Sequence, residues 1–195
     1  MKKQRVLISG DSFAADSSHI IDNSSSWTQL LKKYYDVTNI AEAGVGEYKI
    51  LKQLQSTKLE NFDHVIVVHT SPNRVHINHH PLHSNSKLHK NCDLIYNDIL
   101  NSTIQNVVTT TALNYFKYIF DESYYYDIHK LLVKEILEIT KSRQALHITF
   151  FDNLNNEVGD WSEIWNKNPG SINHLDVSGN ELVLEKILTW INNHY

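Results

Sequence analysis

Gly10-Asp11-Ser12-Phe13 closes the first apolar run of the chain, and His174 stands near the other end, within Ser171-Ile172-Asn173-His174-Leu175-Asp176. A serine on a glycine-containing turn and a histidine on a distant loop make a residue set suited to acyl transfer. A serine hydroxyl is a weak nucleophile until a neighbouring base takes its proton, and the tetrahedral oxyanion that follows needs preorganised N–H donors. Ser12, His174 and the amide of Gly44, in Ala43-Gly44-Val45-Gly46, can fill those roles. A third segment, Thr70-Ser71-Pro72-Asn73-Arg74, offers further polar groups.

These segments need elements that bring them together. Short apolar runs at Val6–Ser9, Val37–Ile40, Val65–His69 and Leu146–Phe151 have the character of buried parallel strands. Helical patterns lie between them. Ser26-Trp27-Thr28-Gln29 has capping-box spacing ahead of Leu30, Leu31 and Tyr34, and Ile50, Leu51 and Leu54 mark a second helix. Ile128, Leu132, Ile136 and Ile139 repeat at helical spacing. Ser178-Gly179-Asn180-Glu181 has capping-box spacing before a closing helix with Leu182, Leu184, Ile187, Leu188 and Ile191 as its apolar face. The alternation predicts a three-layer α/β/α sandwich around a mainly parallel, flavodoxin-like sheet. In such a sheet ligands bind beyond the carboxyl ends of the strands, where Ser12, Gly44 and the Thr70–Arg74 segment would converge.

GDSF after a first strand, Asn39-Ile40-Ala41-Glu42-Ala43-Gly44 after a second, and His174-Leu175-Asp176-Val177-Ser178-Gly179 before a final helix resemble the SGNH (GDSL-type) hydrolase family. The resemblance covers roughly residues 5–13, 27–48, 63–74 and 171–190. It implies a serine esterase with Ser12 as nucleophile and His174 as base, and an oxyanion hole from Ser12, Gly44 and Asn73. No cofactor is implied. The substrate implied is a small-molecule or carbohydrate ester, and related proteins also transfer acyl groups onto polysaccharide. Two departures stand out. Asn73 sits in Thr-Ser-Pro-Asn-Arg where the family has Gly-x-Asn-Asp, which leaves Thr70 or Ser71 as alternative donors. Ser171 occupies the position of the triad aspartate, so the orienting group is either a backbone carbonyl or a carboxylate from elsewhere, with Asp176 and Asp160 as local candidates. Losing that carboxylate in a Ser-His-Asp triad costs about 10⁴-fold in turnover.

Other residues admit a second reading. Arg74 can bind an anionic substrate group or pair with an acid of the scaffold. Trp161 and Trp165 precede the His174 loop and can line a pocket or simply pack. The segment from Ser71 to Cys92 is rich in His, Asn and Ser and reads as a long loop over the site. It is read as holding no metal, because His79, His80 and His83 come without an HExxH pattern. His69 is set apart from that group, since it ends the third strand close to the expected site. Asp93 to Phe120 reads as helical, against the β-branched run at Val107–Thr111. Tyr115, Phe116, Tyr118, Phe120 and Tyr124 to Tyr126 form an aromatic-rich stretch that can stack on sugars or contact a partner, though aromatics at helical spacing more often belong to the core.

Two other function classes compete. A phosphate-binding module using Ser9 to Ser12 with Ser17 and Ser18 is disfavoured by Asp11 and Asp16, which would repel the anion. A catalytically inactive binding or assembly protein on the hydrolase scaffold is favoured by the missing aspartate before His174.

At 195 residues, 41% hydrophobic and 21% charged, the chain fits one domain spanning 1–195. A formal net charge of −4 without a basic block argues against nucleic acid as partner. Cys92 is the sole cysteine, which excludes an intrachain disulfide and a cysteine zinc cluster. Val6-Leu7-Ile8 is too short for a signal-peptide core and no stretch is long enough for a membrane span, so a cytoplasmic location is expected. Oligomeric state is left open by the sequence.

Overall fold

The computed structural model describes residues 3–16, 26–83, 85–151, 156–170 and 174–194. Its centre is a five-stranded parallel sheet of β1 (Arg5–Gly10), β2 (Asp36–Asn39), β3 (His64–His69), β4 (Ala145–Thr149) and β5 (Gly159–Asp160). The spatial order is β2-β1-β3-β4-β5, a flavodoxin-like order in keeping with the fold that the resemblance implies. Register runs from Val6 opposite Val37 in β2 and His64 in β3 to His69 opposite Thr149 in β4.

Because successive strand residues face opposite sides, the near-continuous apolar strands feed two cores. Val6, Ile8, Ile66, Val68, Ile148 and Phe150 face one layer, which contains α1 (Trp27–Leu31) and α7 (Val177–Asn193). Trp27 and Leu31 from the first, with Val183, Ile187 and Ile191 from the second, complete that core. Leu7, Val65 and Val67 face the other layer, made by α2 (Glu47–Gln55) and α5 (Glu122–Thr140) through Ile50, Leu51, Leu54 and Ile136. Each of these large side chains contributes about 1.5–3 kcal/mol on burial. The three layers therefore follow directly from period-2 strands between amphipathic helices.

Several local expectations shift. The Ser26 hydroxyl does not cap α1; it shares a hydrogen bond with the Thr28 hydroxyl at 2.8 Å, while Asn180 Oδ1 accepts the Trp27 N–H at 2.9 Å. That helix stops at Leu31, which leaves Tyr34 half exposed. The N-cap of α7 is Asp176 rather than Ser178, its carboxylate accepting the Gly179 N–H at 2.7 Å. The cap moves two residues upstream and Val183 replaces the exposed Leu182 in the apolar face. β5 is too short to leave an apolar signature.

The segment from Ser71 to Cys92 has neither helix nor regular strand among its described residues, as expected of a loop. It is nonetheless anchored. Val75 and Leu94 form an antiparallel bridge at its base, and with Ile99 and Ala112 they make a third apolar cluster. Ile99 lies on α3 (Tyr96–Leu100) and Ala112 on α4 (Val107–Tyr118), so the β-branched run is helical. Asn106 caps α4 by accepting the Val108 and Thr109 N–H groups, which offsets the weak propensity of that run. α6 (Ser162–Lys167) lies between β5 and the His174 loop. No helix among the described residues is long and apolar enough to cross a membrane.

Candidate active site

β1 ends at Gly10, whose φ of +153° lies in a region open to glycine, and an added Cβ there would meet the Val68 carbonyl oxygen at 2.7 Å. The chain then turns sharply. Ala14 and Ala15 N–H groups donate to the Asp11 carbonyl at 3.1 and 2.9 Å, and Asp11 Oδ1 accepts the Phe13 N–H at 3.0 Å. Ser12 rides this single turn and is partly exposed. The turn is held from outside by Trp27 Nε1, donating to the Phe13 carbonyl at 2.8 Å, and by Asn39 Nδ2, donating to the Ala14 carbonyl at 2.8 Å. Each such bond contributes about 1 kcal/mol net, and together they fix where the serine points.

The second strand delivers Gly44 at φ +77°, in the left-handed region. Its carbonyl accepts from Asp93 N–H and Arg74 Nη1, both at 2.9 Å, which turns that peptide in a defined sense. Among the described residues neither the Ser12 nor the Gly44 amide has a hydrogen-bond partner. The third strand delivers Thr70, whose N–H donates to Glu47 Oε2 at 3.2 Å and whose carbonyl lies 2.8 Å from His129 Nε2. The Thr70 hydroxyl donates to Asp11 Oδ2 at 2.9 Å and accepts from Arg74 Nε at 3.0 Å. Asn73 follows, its N–H donating to the Ser71 hydroxyl at 3.3 Å.

His174 is carried by a loop closed at its base. The Gly170 N–H donates to the His174 carbonyl at 2.6 Å and the Asp176 N–H to the Asn168 carbonyl at 3.0 Å. The imidazole stacks on Phe13, ring centres 5.5 Å apart and planes 18° from parallel, and Phe13 stacks in turn on Phe150 at 4.6 Å.

Ser12, Gly44, Ser71, Asn73, Arg74, Trp165 and His174 all line one cavity of about 710 Å³ beyond the carboxyl ends of β1 and β3. That volume falls in the usual range for small-molecule sites, about 300–1,000 Å³. Two candidates sit elsewhere. Thr70 is fully buried, with its hydroxyl engaged by Asp11 and Arg74, and Trp161 packs against Phe150 with the Lys186 ammonium over its ring. Arg74 lines the cavity and braces the scaffold through the Thr70 hydroxyl and the Gly44 carbonyl rather than through an ion pair with an acid among the described residues. Asp176 and Asp160 each place one carboxylate oxygen on a helix N-terminal N–H, of Gly179 and Ser162 respectively, and neither lines the cavity. Ser17, Ser18 and Ser171 lie outside the described residues.

His69 is not at the cavity. It is buried beneath it, its Nδ1 2.6 Å from Glu47 Oε1 and its Nε2 2.9 Å from His147 Nδ1. Burial opposes ionisation of Glu47, but the charges and hydrogen bonds of His69 and His129 outweigh it and hold the carboxyl down at about 2. Burial, reinforced by His69, pushes His147 down to about 3. Asp11 is raised by burial, opposed by the charge of Arg74 and by the N–H of Phe13.

Much of the rest of the cavity wall comes from the loop expected over the site, from the aromatic stretch, and from Tyr96 and Phe151, which no sequence pattern singled out for the site. Tyr96, Phe116, Phe120 and Phe151 supply aromatic surface, and His83, His89 and Cys92 reach it from the long loop. The aromatic density of 115–126 was a usable cue, since Phe116 and Phe120 do line the cavity while Tyr118 and Tyr124 are exposed. Burial and the Asp98 charge push the Cys92 thiol up to about 11, so it stays protonated and a poor nucleophile at neutral pH.

A search of protein-family models finds no match, and neither does a search of curated proteins. Among solved structures the chain is similar to one from Desulfitobacterium hafniense described as a "putative lipolytic protein of G-D-S-L family". The match has a TM-score of 0.51 at 12% identity and covers 96% of this chain and 99% of that one. The fold is that of the GDSL-type proteins. At this identity the likeness speaks for the GDSL-type architecture, and the chemistry must be argued from the residues themselves.

Proposed function

We propose that this chain is a serine esterase acting on a small or carbohydrate-borne ester. The observation that carries the proposal is the lining of one cavity by Ser12, Gly44, Asn73 and His174, from four separate parts of the GDSL-type fold. In the proposed cycle His174 takes the Ser12 proton as the oxygen attacks the ester carbonyl. The N–H groups of Ser12 and Gly44, with the Asn73 side chain, hold the oxyanion. His174 then protonates the leaving alcohol, and water activated by the same imidazole releases the acid from the acyl-enzyme. Phe13 keeps the imidazole plane fixed, and Arg74 orients the Gly44 peptide through its carbonyl. The aromatic wall suits an acyl chain or the face of a sugar ring. The description of the Desulfitobacterium hafniense protein as lipolytic agrees with this reaction class.

The test is intact-mass spectrometry after incubation with a fluorophosphonate, comparing the native chain with Ser12→Ala. A single adduct on the native chain, absent from the variant and from His174→Ala, supports the proposal and directs screening to acetylated sugars and short acyl esters. Absence of any adduct from a chain shown to be folded by circular dichroism overturns it in favour of a non-catalytic binding protein.

A further inference from the structure

The long loop carries a second constellation. The ligand atoms of His80, His83 and Cys92 all lie within 4.8 Å of one another. His80 and Cys92 are buried and His83 is partly so. The His80 and His83 rings stack at 4.6 Å, with planes 24° apart, and His89 sits 5.6 Å beyond His83. His80 is only 1% exposed, yet its Nε2 has no hydrogen-bond partner. Its Nδ1 accepts the Leu82 N–H at 3.2 Å. A buried polar atom without a partner is unusual and calls for an explanation.

We propose that His80, His83 and Cys92 bind a zinc-class divalent ion. Two imidazoles and a thiol make a borderline-soft donor set, which selects zinc over calcium or magnesium, since those take oxygen ligands. Bonds of about 2.0–2.3 Å in a tetrahedron bring ligand atoms somewhat closer than 4.8 Å, so the site closes slightly on loading. Zinc displaces the Cys92 thiol proton to solvent and takes the thiolate. It takes the lone pair of His80 Nε2, which moves that ring's proton to Nδ1, so the Leu82 contact is exchanged for the metal bond.

Three protein ligands leave one tetrahedral position open. His83 and Cys92 also line the cavity shared by Ser12 and His174, so the open position can face it. A water or a substrate oxygen completes the shell. The site also bears on the loop of Gly44, because Cys92 packs directly against that glycine. The proposal stands independently of the esterase reading, since it uses neither Ser12 nor His174.

The test uses the full chain, reduced, stripped with chelator and then titrated with cobalt(II) and zinc(II). The expected result is equimolar uptake, with tetrahedral cobalt bands in the visible and a thiolate-to-cobalt charge-transfer band in the near ultraviolet. Cys92→Ser abolishes the charge-transfer band. Removing an outer-shell partner costs 10–100-fold in affinity, so removing a ligand by His83→Gln, at a half-exposed position that folding tolerates, weakens zinc binding by about 100-fold or more. His79→Gln, an exposed histidine outside the cluster, leaves affinity unchanged. Absence of equimolar uptake, uptake without the charge-transfer band, or native affinity in His83→Gln each overturns the site. A loss of affinity in His79→Gln equal to that in His83→Gln does the same, by pointing to non-specific histidine binding.

Discussion

Cys92 Cβ lies 2.6 Å from where a Cβ would stand on Gly44, so the thiol-bearing residue of the long loop occupies the space that any larger residue at position 44 would need. Gly44 is constrained twice, by this contact and by its φ of +77°. Gly44→Ala is therefore expected to cost about 2–4 kcal/mol, from left-handed strain together with overpacking. Urea unfolding measures it, and a cost below about 0.5 kcal/mol, the usual range for surface substitutions, would show that the loop yields freely.

Phe13 touches both Phe150 and the His174 ring. Phe13→Leu keeps an apolar side chain and removes the stacked face, so the imidazole loses a fixed plane. Aromatic pairs contribute about 0.5–1.5 kcal/mol beyond area, which corresponds to a fall in kcat of about 3–10-fold if that contact orients the base. Esterase kinetics should place the loss in kcat with KM little changed, and the reverse split would mark Phe13 as a substrate contact instead.

Asp93 is the buried anchor of the long loop. Its carboxylate accepts from the Gly46 N–H at 2.7 Å and the Ile77 N–H at 2.9 Å, and it pairs with Lys49 at 2.7 Å. Lys49 also donates to the Ile77 and Asn91 carbonyls. Asp93→Ala leaves the poorly exposed Lys49 ammonium without its counter-ion and the Gly46 and Ile77 N–H groups without their acceptor, for an expected cost of about 3–5 kcal/mol. Limited proteolysis should then cut within residues 75–92 while the sheet stays protected, and an intact loop would refute this role.

Three buried groups whose titration is depressed lead the loss of stability in acid, and Asp11, raised by burial, opposes them. His147 and His80 are held down at about 3 and about 4, whereas unfolded histidines titrate near 6.5. In chelator, the unfolded chain therefore binds more protons than the folded one as pH falls below 6.5, and stability declines. Glu47, held at about 2 against an ordinary 4.5, contributes stability that is complete above 4.5 and is lost as pH falls towards 2. All three act in the same direction. Urea midpoints should be flat above pH 7 and fall steadily below about 6.5, with Glu47→Gln flattening the portion below 4.5. A midpoint that rises between pH 6 and 4.5 in Asp11→Asn, where the opposing carboxyl is gone, would contradict the assignment.

Local pattern carried the strands because their apolar character does not depend on partners. Val6–Ser9, Val37–Ile40 and Val65–His69 each fall within a residue of the observed strand, and Leu146–Phe151 within two. Ser12, Gly44 and Asn73 could be picked out because each lies in a segment that follows a parallel strand, and His174 because it precedes the closing helix; all four line the cavity. The groups that hold them could not. Glu47 reaches His69 across 22 residues and Asp93 reaches Gly46 across 47, and nothing in local periodicity encodes such pairs. The misplaced cap of α7 has a similar origin. Ser178 has the right spacing, but Asp176 offers a charged acceptor two residues earlier and takes the helix start. His80, His83 and Cys92 carried spacing but no pattern, because only the fold of the long loop brings Cys92 back to the histidines.

The closed base of the His174 loop bears on the energetics of substrate encounter. Hydrogen bonds joining Gly170 to His174 and Asn168 to Asp176 hold the backbone of His174 and Asp176 before any ligand arrives. The ordering entropy of the histidine backbone is thus a cost of folding rather than of binding. In the proposed esterase cycle, binding energy contributed by a substrate then lowers the barrier instead of organising His174, which is the thermodynamic meaning of a preorganised site.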